Sequence, residues 1–531
     1  MRSALKARPR ATVPPGSVAR FKSDSQEHFN LGPVMEALDL IEFDHLSVDR
    51  ALERVGAPAG RPPLEQGFAA WTRLAVHRYL STLGPELVPV RHDWVFIRTL
   101  DEPDDRGALR YELCVWGRRY VDPSSRTREL RIPLAKRVDQ DERDESELAV
   151  MAMVLAEGRP AELPDFRFWK QYAEPVDASA ESAAPPESVR ITVVDCVNGR
   201  AQPILVDTPE AIRERYRKSG RKRLADVVTG TEYRPGRGCG DCKLIATCPA
   251  LPRVPGLLGI DDPNRARRTW SVTNGRYYAG NSGKGDGCPA RDRFHRLRLP
   301  PEADREWGPA VVRGHAVHVR IQQQHEAHPG VACRPDEAPD GGGPWTAGRW
   351  SVSGREADQG ARMVAAHSRY CPYRLSTVNG IVHEAQVTLH DPAADVLITA
   401  RPDTLYREGG MRVYRETKTD VRRGLPVESD LLAERPQLAL ALLWMALTPD
   451  RGGPGRVELE VLGTDGARLE ILMADQRHLV ERAREIVRGL VENWHGDTSH
   501  TPNPGQHCAR CSTAVWCGDR ADLPGRTQGA D

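Results

Sequence analysis

An α/β fold arranged as two consecutive halves is predicted for this 531-residue chain. Three observations lead there. Strand-type runs of β-branched and apolar residues alternate with segments of helical periodicity along the whole length. Each half closes in the same order, with a strand pair, a helix and a C-x2-C-x5-C triplet: Cys239, Cys242 and Cys248, then Cys508, Cys511 and Cys517. A Gly-Gly turn in the second half also joins two β-type runs that carry carboxylates and a lysine. Recurrence of the cysteine spacing at both half-ends points to an internal duplication.

The first half spans about 26–252, after an Arg/Ala/Pro/Ser-rich segment, 1–25, that lacks an apolar core and reads as a disordered basic tail. Residues 34–55 and 64–84 read as helices, the second with Phe68, Trp71, Leu74, Ala75 and Leu80 at helical spacing. Strands follow at Asp93–Leu100, Leu109–Trp116 and Glu129–Pro133, then a helix at Ser146–Glu157 with Ser146 as its N-cap. Residues 174–187 read as a linker, 189–197 and 201–206 as strands, and 209–218 as a charged helix. In the second half, about 265–520, helical residues around 302–326 precede a Gly/Pro/Asp-rich insertion at 334–361 that reads as a mobile loop. Strands are expected at 383–390, 395–406, 411–418, 456–463 and 467–474, helices at 436–447 and 475–493, and a flexible tail at 521–531.

Composition excludes more than it identifies. Lys plus Arg total 75 against 74 for Asp plus Glu, a balance that argues against a strongly basic coat protein. No run approaches 18 consecutive apolar residues and no secretory signal is evident, so a cytoplasmic protein without a membrane span is expected. Eleven cysteines in such a chain should be thiols or metal ligands. Only nine of the 75 basic residues are Lys, so each Lys invites a question.

One of them, Lys418, lies in the segment VLITARPDTLYREGGMRVYRETKT, residues 396–419. Both residues of the Gly409-Gly410 turn can take positive φ, which suits a two-residue hairpin. With that turn Asp403 faces Glu416, their Cβ atoms roughly 4.5–5.5 Å apart, and Lys418 shares the same face. Opposed carboxylates repel, and a divalent cation between them reverses the penalty. The ammonium is a compact charge that Arg does not imitate at a reactive site.

Pro402-Asp403 followed by Glu416-Thr417-Lys418 resembles the core motif of the PD-(D/E)XK nuclease superfamily. Gly314-His315-Ala316-Val317-His318 is similar to the Gly-x-x-x-His helix motif of its RecB-like branch, and Gln437 opens an apolar helix much as that branch's Q-x-x-x-Y motif does. Ala441 stands where that motif has Tyr, and Ala400 where Gly is usual. The resemblance implies a restriction-endonuclease-like core, a mixed sheet flanked by helices, and metal-dependent hydrolysis of DNA leaving 5′-phosphates. It implies Mg²⁺ or Mn²⁺ held by His318, Asp403, Glu416 and the Thr417 carbonyl, with Lys418 and Gln437 completing the catalytic set. His383 and Glu384, on the preceding strand, are expected to line the cleft, without an assigned role.

Cys288-Pro289 ahead of this region, with Cys508, Cys511 and Cys517 behind it, is similar to the one-plus-three arrangement of AddB-type and CRISPR-adaptation nucleases. That resemblance implies a [4Fe-4S] cluster, with structural Zn²⁺ the alternative that all-thiolate ligation leaves open. The first triplet has no such remote partner; Cys114, Cys196 or Cys371 could complete it, and Cys333 needs no role. Asp122 and Glu129-Leu130-Arg131 read as an eroded copy of the hairpin motif, with Arg for Lys and, near His77, no Gly at the helical spacing (Gly67 is ten residues away). The first half therefore reads as a degenerate nuclease fold, with Arg-rich stretches at 213–223 and 265–268 able to contact phosphate. Neither Gly283-Lys284 nor Gly220-Arg221-Lys222 fits a Walker A motif, so duplex processing would call on a separate helicase. A catalytically silent nucleic-acid-binding scaffold is the competing class.

Overall fold

The computed structural model describes residues 5–7, 27 and 29–520, apart from 102–107, 139–142, 163–172, 177–183, 225–231, 243, 264–267, 281–284, 302–307, 422–429 and 451. Most of the expected N-terminal tail, the tail at 521–531, much of the 174–187 linker and most of the 265–268 basic stretch lie outside the described residues. Residues 5–7 are described, and they form a strand rather than tail.

In the N-terminal half, β1 (Leu5–Ala7) precedes helices α1 (Gly32–Glu42), α2 (Val48–Gly56) and α3 (Gln66–Leu80). The single helix expected over 34–55 is thus two, because Ser47 caps a new start by accepting the Arg50 N–H. Strands β2 (Val88–Pro89), β3 (Asp93–Asp101), β4 (Ala108–Val115), β5 (Arg118–Asp122) and β6 (Thr127–Leu134) lead to α4 (Glu145–Glu157). Asp144, not Ser146, caps α4, its carboxylate accepting the Ser146 N–H at 2.7 Å. Then come β7 (Arg159–Glu162), β8 (Glu174–Pro175), β9 (Ser188–Asp195), β10 (Arg200–Asp207) and α5 (Pro209–Arg215).

The C-terminal half runs β11 (Thr269–Trp270), α6 (Val272–Ala279), α7 (Pro289–Arg296), α8 (Pro309–Ala327), β12 (Trp345–Ala347), β13 (Trp350–Val352) and α9 (Gly354–His367). It continues with β14 (Val378–His383), β15 (Val387–Asp391), β16 (Val396–Ala400), β17 (Thr404–Glu408), β18 (Met411–Thr419) and α10 (Pro436–Leu447). Strands β19 (Arg456–Gly463) and β20 (Gly466–Met473) and helix α11 (Arg477–Gly496) precede the last cysteines. The insertion at 334–361 is therefore ordered, as a hairpin and the start of a helix. Its glycines punctuate turns, and Gly360 admits the Trp345 ring, which would lie 2.7 Å from any Cβ there. The Trp345 indole donates to the Ala357 carbonyl at 3.0 Å, tying hairpin to helix.

Each half holds a five-stranded mixed sheet, β2–β5–β6–β9–β10 and β14–β17–β18–β19–β20. Neighbours run antiparallel, antiparallel, parallel, antiparallel in the first, and in the same succession in the second. In both, the parallel step is spanned by a crossover containing a helix, α4 or α10, as parallel pairing requires. Apolar residues of α4 pack with Leu130, Ile132 and Leu134 of β6, and those of α10 with Tyr414, Val457 and Leu459 of β18 and β19.

This corrects the expected correspondence between halves. Glu129 and Arg131 lie on the face of β6 turned away from α4, where Arg131 sits over the Tyr79 ring and bonds Glu129 and Thr82. Glu416 and Lys418, by strand alternation from Tyr414, occupy the face turned toward α10. The residue opposite Glu129 is Tyr120, while Asp122 pairs with Thr127 beside the turn. A one-residue change of parity moves a side chain to the other side of a sheet, and spacing alone does not show it.

The two halves interlock through their cysteine segments. Trp516 packs at 5.7 Å from Trp71 of α3 and donates to the Pro300 carbonyl. Gly67 of α3 makes room for this, since a Cβ there would lie 2.3 Å from the Trp516 carbonyl. Conversely, Ile245 and Leu251, with Cys239 and Cys248, pack on Leu397 of β16. Among the described residues no helix is long and apolar enough to cross a membrane.

The β17–β18 turn takes φ of 56° at Gly409 and 88° at Gly410. An L side chain with a Cβ is strained there, so Gly410→Ala is expected to lower stability by about 1 kcal/mol. Gly409→Asn should cost less, because Asn tolerates this region. Denaturant titration of both variants checks the order.

Candidate active site

Asp403 stands one residue before β17, and the β17–β18 register (Thr404 with Arg415, Leu405 with Tyr414) continues to pair it with Glu416, as the turn predicts. The Thr417 N–H donates to Asp403 Oδ2 at 2.7 Å, which fixes that carboxylate over the strand end. Lys418 Nζ lies 2.8 Å from Glu416 Oε2 and 3.3 Å from Asp403 Oδ2, bridging the two. The Tyr414 hydroxyl donates to Glu416 Oε1 at 3.0 Å.

Helix α8 delivers His318 to the other oxygen of the same carboxylate, with Nδ1 3.3 Å from Asp403 Oδ1. Gly314, one turn earlier, faces the end of β18; a Cβ there would meet Thr419 Oγ1 at 3.2 Å. Close helix approach at this point is what lets the His318 imidazole reach the hairpin.

Glu384, left without a role by its sequence context, joins the site. Ligand atoms of His318, Glu384 and Asp403 all lie within 4.8 Å of one another. Its backbone has a φ of 50°, an uncommon conformation for a residue with a Cβ, and its N–H donates to the Asp403 carbonyl at 3.2 Å. The Arg401 guanidinium pairs with its carboxylate at 2.9 Å. The position of Glu384 on the segment before the hairpin is the sequence signal that places it near the site; nothing in a single sequence marks it as a ligand.

The charges are unequal in their settings. Burial favours the neutral form of Asp403, but the hydrogen bond and charge of His318, then Lys418, hold its carboxyl well below the usual range. Burial pushes Glu416 above the usual range, with Lys418 opposing. Burial also works against the Lys418 ammonium, yet Glu416 and Asp403 outweigh it and raise its pKa. Lys418 is therefore a retained cation at neutral pH. Burial, and next the Asp403 charge, raise Glu384.

Gln437 falls in the first turn of α10, half-buried, and among the described residues it makes no hydrogen bond to Asp403, Glu416 or Lys418. Cys288, at the start of α7, accepts the Asn503 N–H. Cys508 accepts the Gly505 N–H at 3.4 Å, and burial raises the Cys517 thiol, with Cys288 and Cys508 adding to it. These four cysteines are not among the groups whose ligand atoms all fall within 4.8 Å. The first triplet has the same local turn, Cys239 accepting the Gly236 N–H at 3.3 Å. Of the fourth partners that the sequence offers it, Cys114 and Cys196 pack in other clusters, and Cys371 lies against Cys333, His325 and His367.

A family model described as the PD-(D/E)XK nuclease superfamily matches residues 285–518. That span contains Cys288, His318, Glu384, Asp403, Glu416, Lys418 and Gln437 as well as the last cysteine triplet. No curated protein matches. Among solved structures, "Crystal structure of SSO0001" aligns with 48% of this chain and 87% of its own at 13% identity, with a TM-score of 0.25.

Proposed function

We propose that this chain, whose residues 285–518 hold a PD-(D/E)XK nuclease-superfamily domain, is a divalent-metal-dependent nuclease that hydrolyses phosphodiester bonds in DNA. The observation that carries the reading is the single carboxylate of Asp403, addressed by His318 on one oxygen and by Lys418 and the Thr417 N–H on the other. Two further carboxylates, Glu384 and Glu416, add acidic groups around that point.

Oxygen donors with one imidazole suit Mg²⁺ or Mn²⁺, and His318, Asp403 and Glu384, with Glu416 and the Thr417 carbonyl, are the residues that would hold it. When bound, such an ion supplies a Lewis acid and a water of lowered pKa. Asp403 needs no pH change to serve, because it is ionised well below neutrality. Lys418, kept protonated by its two carboxylates, acts as a donor and a fixed charge. It orients the attacking water or offsets charge on the phosphate, and does not take up a proton. Gln437 is assigned to positioning at the mouth of the crossover helix.

Within the superfamily, the Gly314–His318 spacing and the cysteines favour the RecB-like branch. Cys288, Cys508, Cys511 and Cys517 are proposed to hold a [4Fe-4S] cluster. Structural Zn²⁺ is the alternative that all-thiolate ligation leaves open. The matching strand succession of the N-terminal sheet supports reading that half as a silent copy. The α4-facing positions of β6, Leu130, Ile132 and Leu134, are all apolar, whereas the face of β18 turned toward α10 carries Glu416 and Lys418. DNA repair, recombination or defence against phage in the cytoplasm, beside a separate helicase, is the setting this reading implies.

The test is cleavage of single-stranded, linear duplex and circular DNA by anaerobically purified protein, with and without Mg²⁺ or Mn²⁺. DNA binding with no cleavage in either ion would instead favour a nucleic-acid-binding scaffold. His318→Ala is expected to move the metal-activation curve to at least about tenfold higher ion concentration, by loss of one ligand. An unchanged curve would remove His318 from the ligand set.

A further inference from the structure

On the opposite side of the active strand lies a second group of side chains that neither the hairpin motif nor the cysteine triplets account for. His325 of α8, Cys333, His367 at the end of α9 and Cys371 are all buried, and their ligand atoms lie within 4.8 Å of one another. We infer that His325, Cys333, His367 and Cys371 form a structural Zn²⁺ site of two sulfur and two nitrogen donors, which locks the ordered insertion onto the nuclease core.

The geometry has the size of one tetrahedral ion. Zn–N distances of about 2.0–2.1 Å and Zn–S of about 2.3 Å imply ligand–ligand edges of roughly 3.3–3.8 Å. His367 Nε2 lies 3.3 Å from His325 Nε2, and Cys371 Sγ lies 3.3 Å from the same nitrogen. The Cys333 N–H donates to Cys371 Sγ at 3.4 Å, so the two cysteine segments meet there.

The outer nitrogen of each histidine is also held. His367 Nδ1 lies 2.8 Å from Glu460 Oε1, a fully buried carboxylate on β19. That partner fixes the proton on Nδ1 and leaves the Nε2 lone pair facing the two sulfurs. His325 Nδ1 lies 3.0 Å from His383 Nε2 at the end of β14. The carboxylate on His367 is the arrangement by which zinc-ligating histidines characteristically hold their second nitrogen.

The site draws its ligands from α8, from α9 and from the two segments that follow them. His325 lies two helical turns after His318, so the two share one side of α8. Cys333 and Cys371 flank the hairpin and α9 of the insertion. Glu460 also accepts from Thr417 Oγ1 at 3.3 Å, and Thr417 is the residue whose N–H orients Asp403. His383 precedes Glu384 in the chain. An ion here would brace α8, β14 and β18, the elements that deliver His318, Glu384 and the Glu-Thr-Lys run.

Metal analysis of the full-length protein, purified without chelator, tests this. Cys371→Ala is expected to carry one zinc fewer per chain than wild type, whatever the other cysteines hold. Cys371→His keeps a fourth ligand and should retain the full count. After cobalt exchange, Cys371→His should keep tetrahedral absorption bands but lose part of the thiolate-to-cobalt charge-transfer intensity. If Cys371→Ala does not fold, the cobalt spectrum of Cys371→His decides alone. Equal zinc in wild type and Cys371→Ala, identical cobalt spectra for wild type and Cys371→His, or a Cys333–Cys371 disulfide in the mapped wild-type protein would each overturn the assignment.

Discussion

Asp403→Asn is expected to lower metal-dependent DNA cleavage by roughly 10²–10⁴-fold while leaving the protein folded. The amide keeps the shape of the carboxylate and can still accept the Thr417 N–H, so the strand end holds. It loses the negative charge that pairs with Lys418 and His318 and that would bind the ion. Lys418→Ala should act comparably through the loss of the ammonium, and Lys418→Arg should not restore activity, because a planar guanidinium does not replace a point charge in this space. Lys418→Ala also removes the charge that opposes the upward push of burial on Glu416. Glu416 then ionises at higher pH than in wild type, and the acid limb of any residual activity moves upward with it. Single-turnover rates across pH, with circular dichroism as the folding control, measure both. A rate within a few-fold of wild type for Asp403→Asn would end the catalytic assignment.

Glu458→Ala is expected to cost about 3–5 kcal/mol of stability, the largest effect of any single truncation behind the site. Arg415, between the site residues on β18 but facing the other way, has a side chain only 2% exposed, and Glu458 is fully buried. The guanidinium donates to Glu458 Oε2 from Nε at 2.7 Å, to the Tyr370 carbonyl at 2.6 Å and to the Tyr406 hydroxyl at 2.9 Å. Tyr406 and Arg456 use the remaining capacity of Glu458. Removing the carboxylate leaves a buried cation with Glu460, 3.9 Å away, as its nearest compensation. Replacing both partners by apolar residues of similar volume should cost much less than Glu458→Ala. Denaturant unfolding of the single and double variants measures the difference, and equal losses would show that packing, not charge, governs the position.

Much of the candidate site is legible in the sequence, and for a local reason. The Gly409-Gly410 turn sets the hairpin register, and the register sets which side chains share a face. Helix α8 was legible because Gly314 and His318 are four residues apart, one turn of the same element. Glu384 is legible only as a residue lining the cleft, without a role, because its approach to His318 and Asp403 depends on a positive-φ turn of the chain between β14 and β15. The insertion reads as a loop because of its glycines and prolines, while Trp345 and the buried side of α9 hold it against α8.

The sequence by itself determined the class of elements, the hairpin with its two carboxylates and ammonium, and the paired cysteine turns. These follow from periodicity and short-range sterics, which act over a few residues. Tertiary structure decided which sheet face each motif occupies, so that Glu129 and Arg131 turn away from the crossover helix while Glu416 and Lys418 turn toward it. It also decided the meeting of His325, Cys333, His367 and Cys371, whose two pairs are separated by more than thirty residues of insertion. Burial and packing between distant segments set both outcomes, and neither leaves a period in the chain.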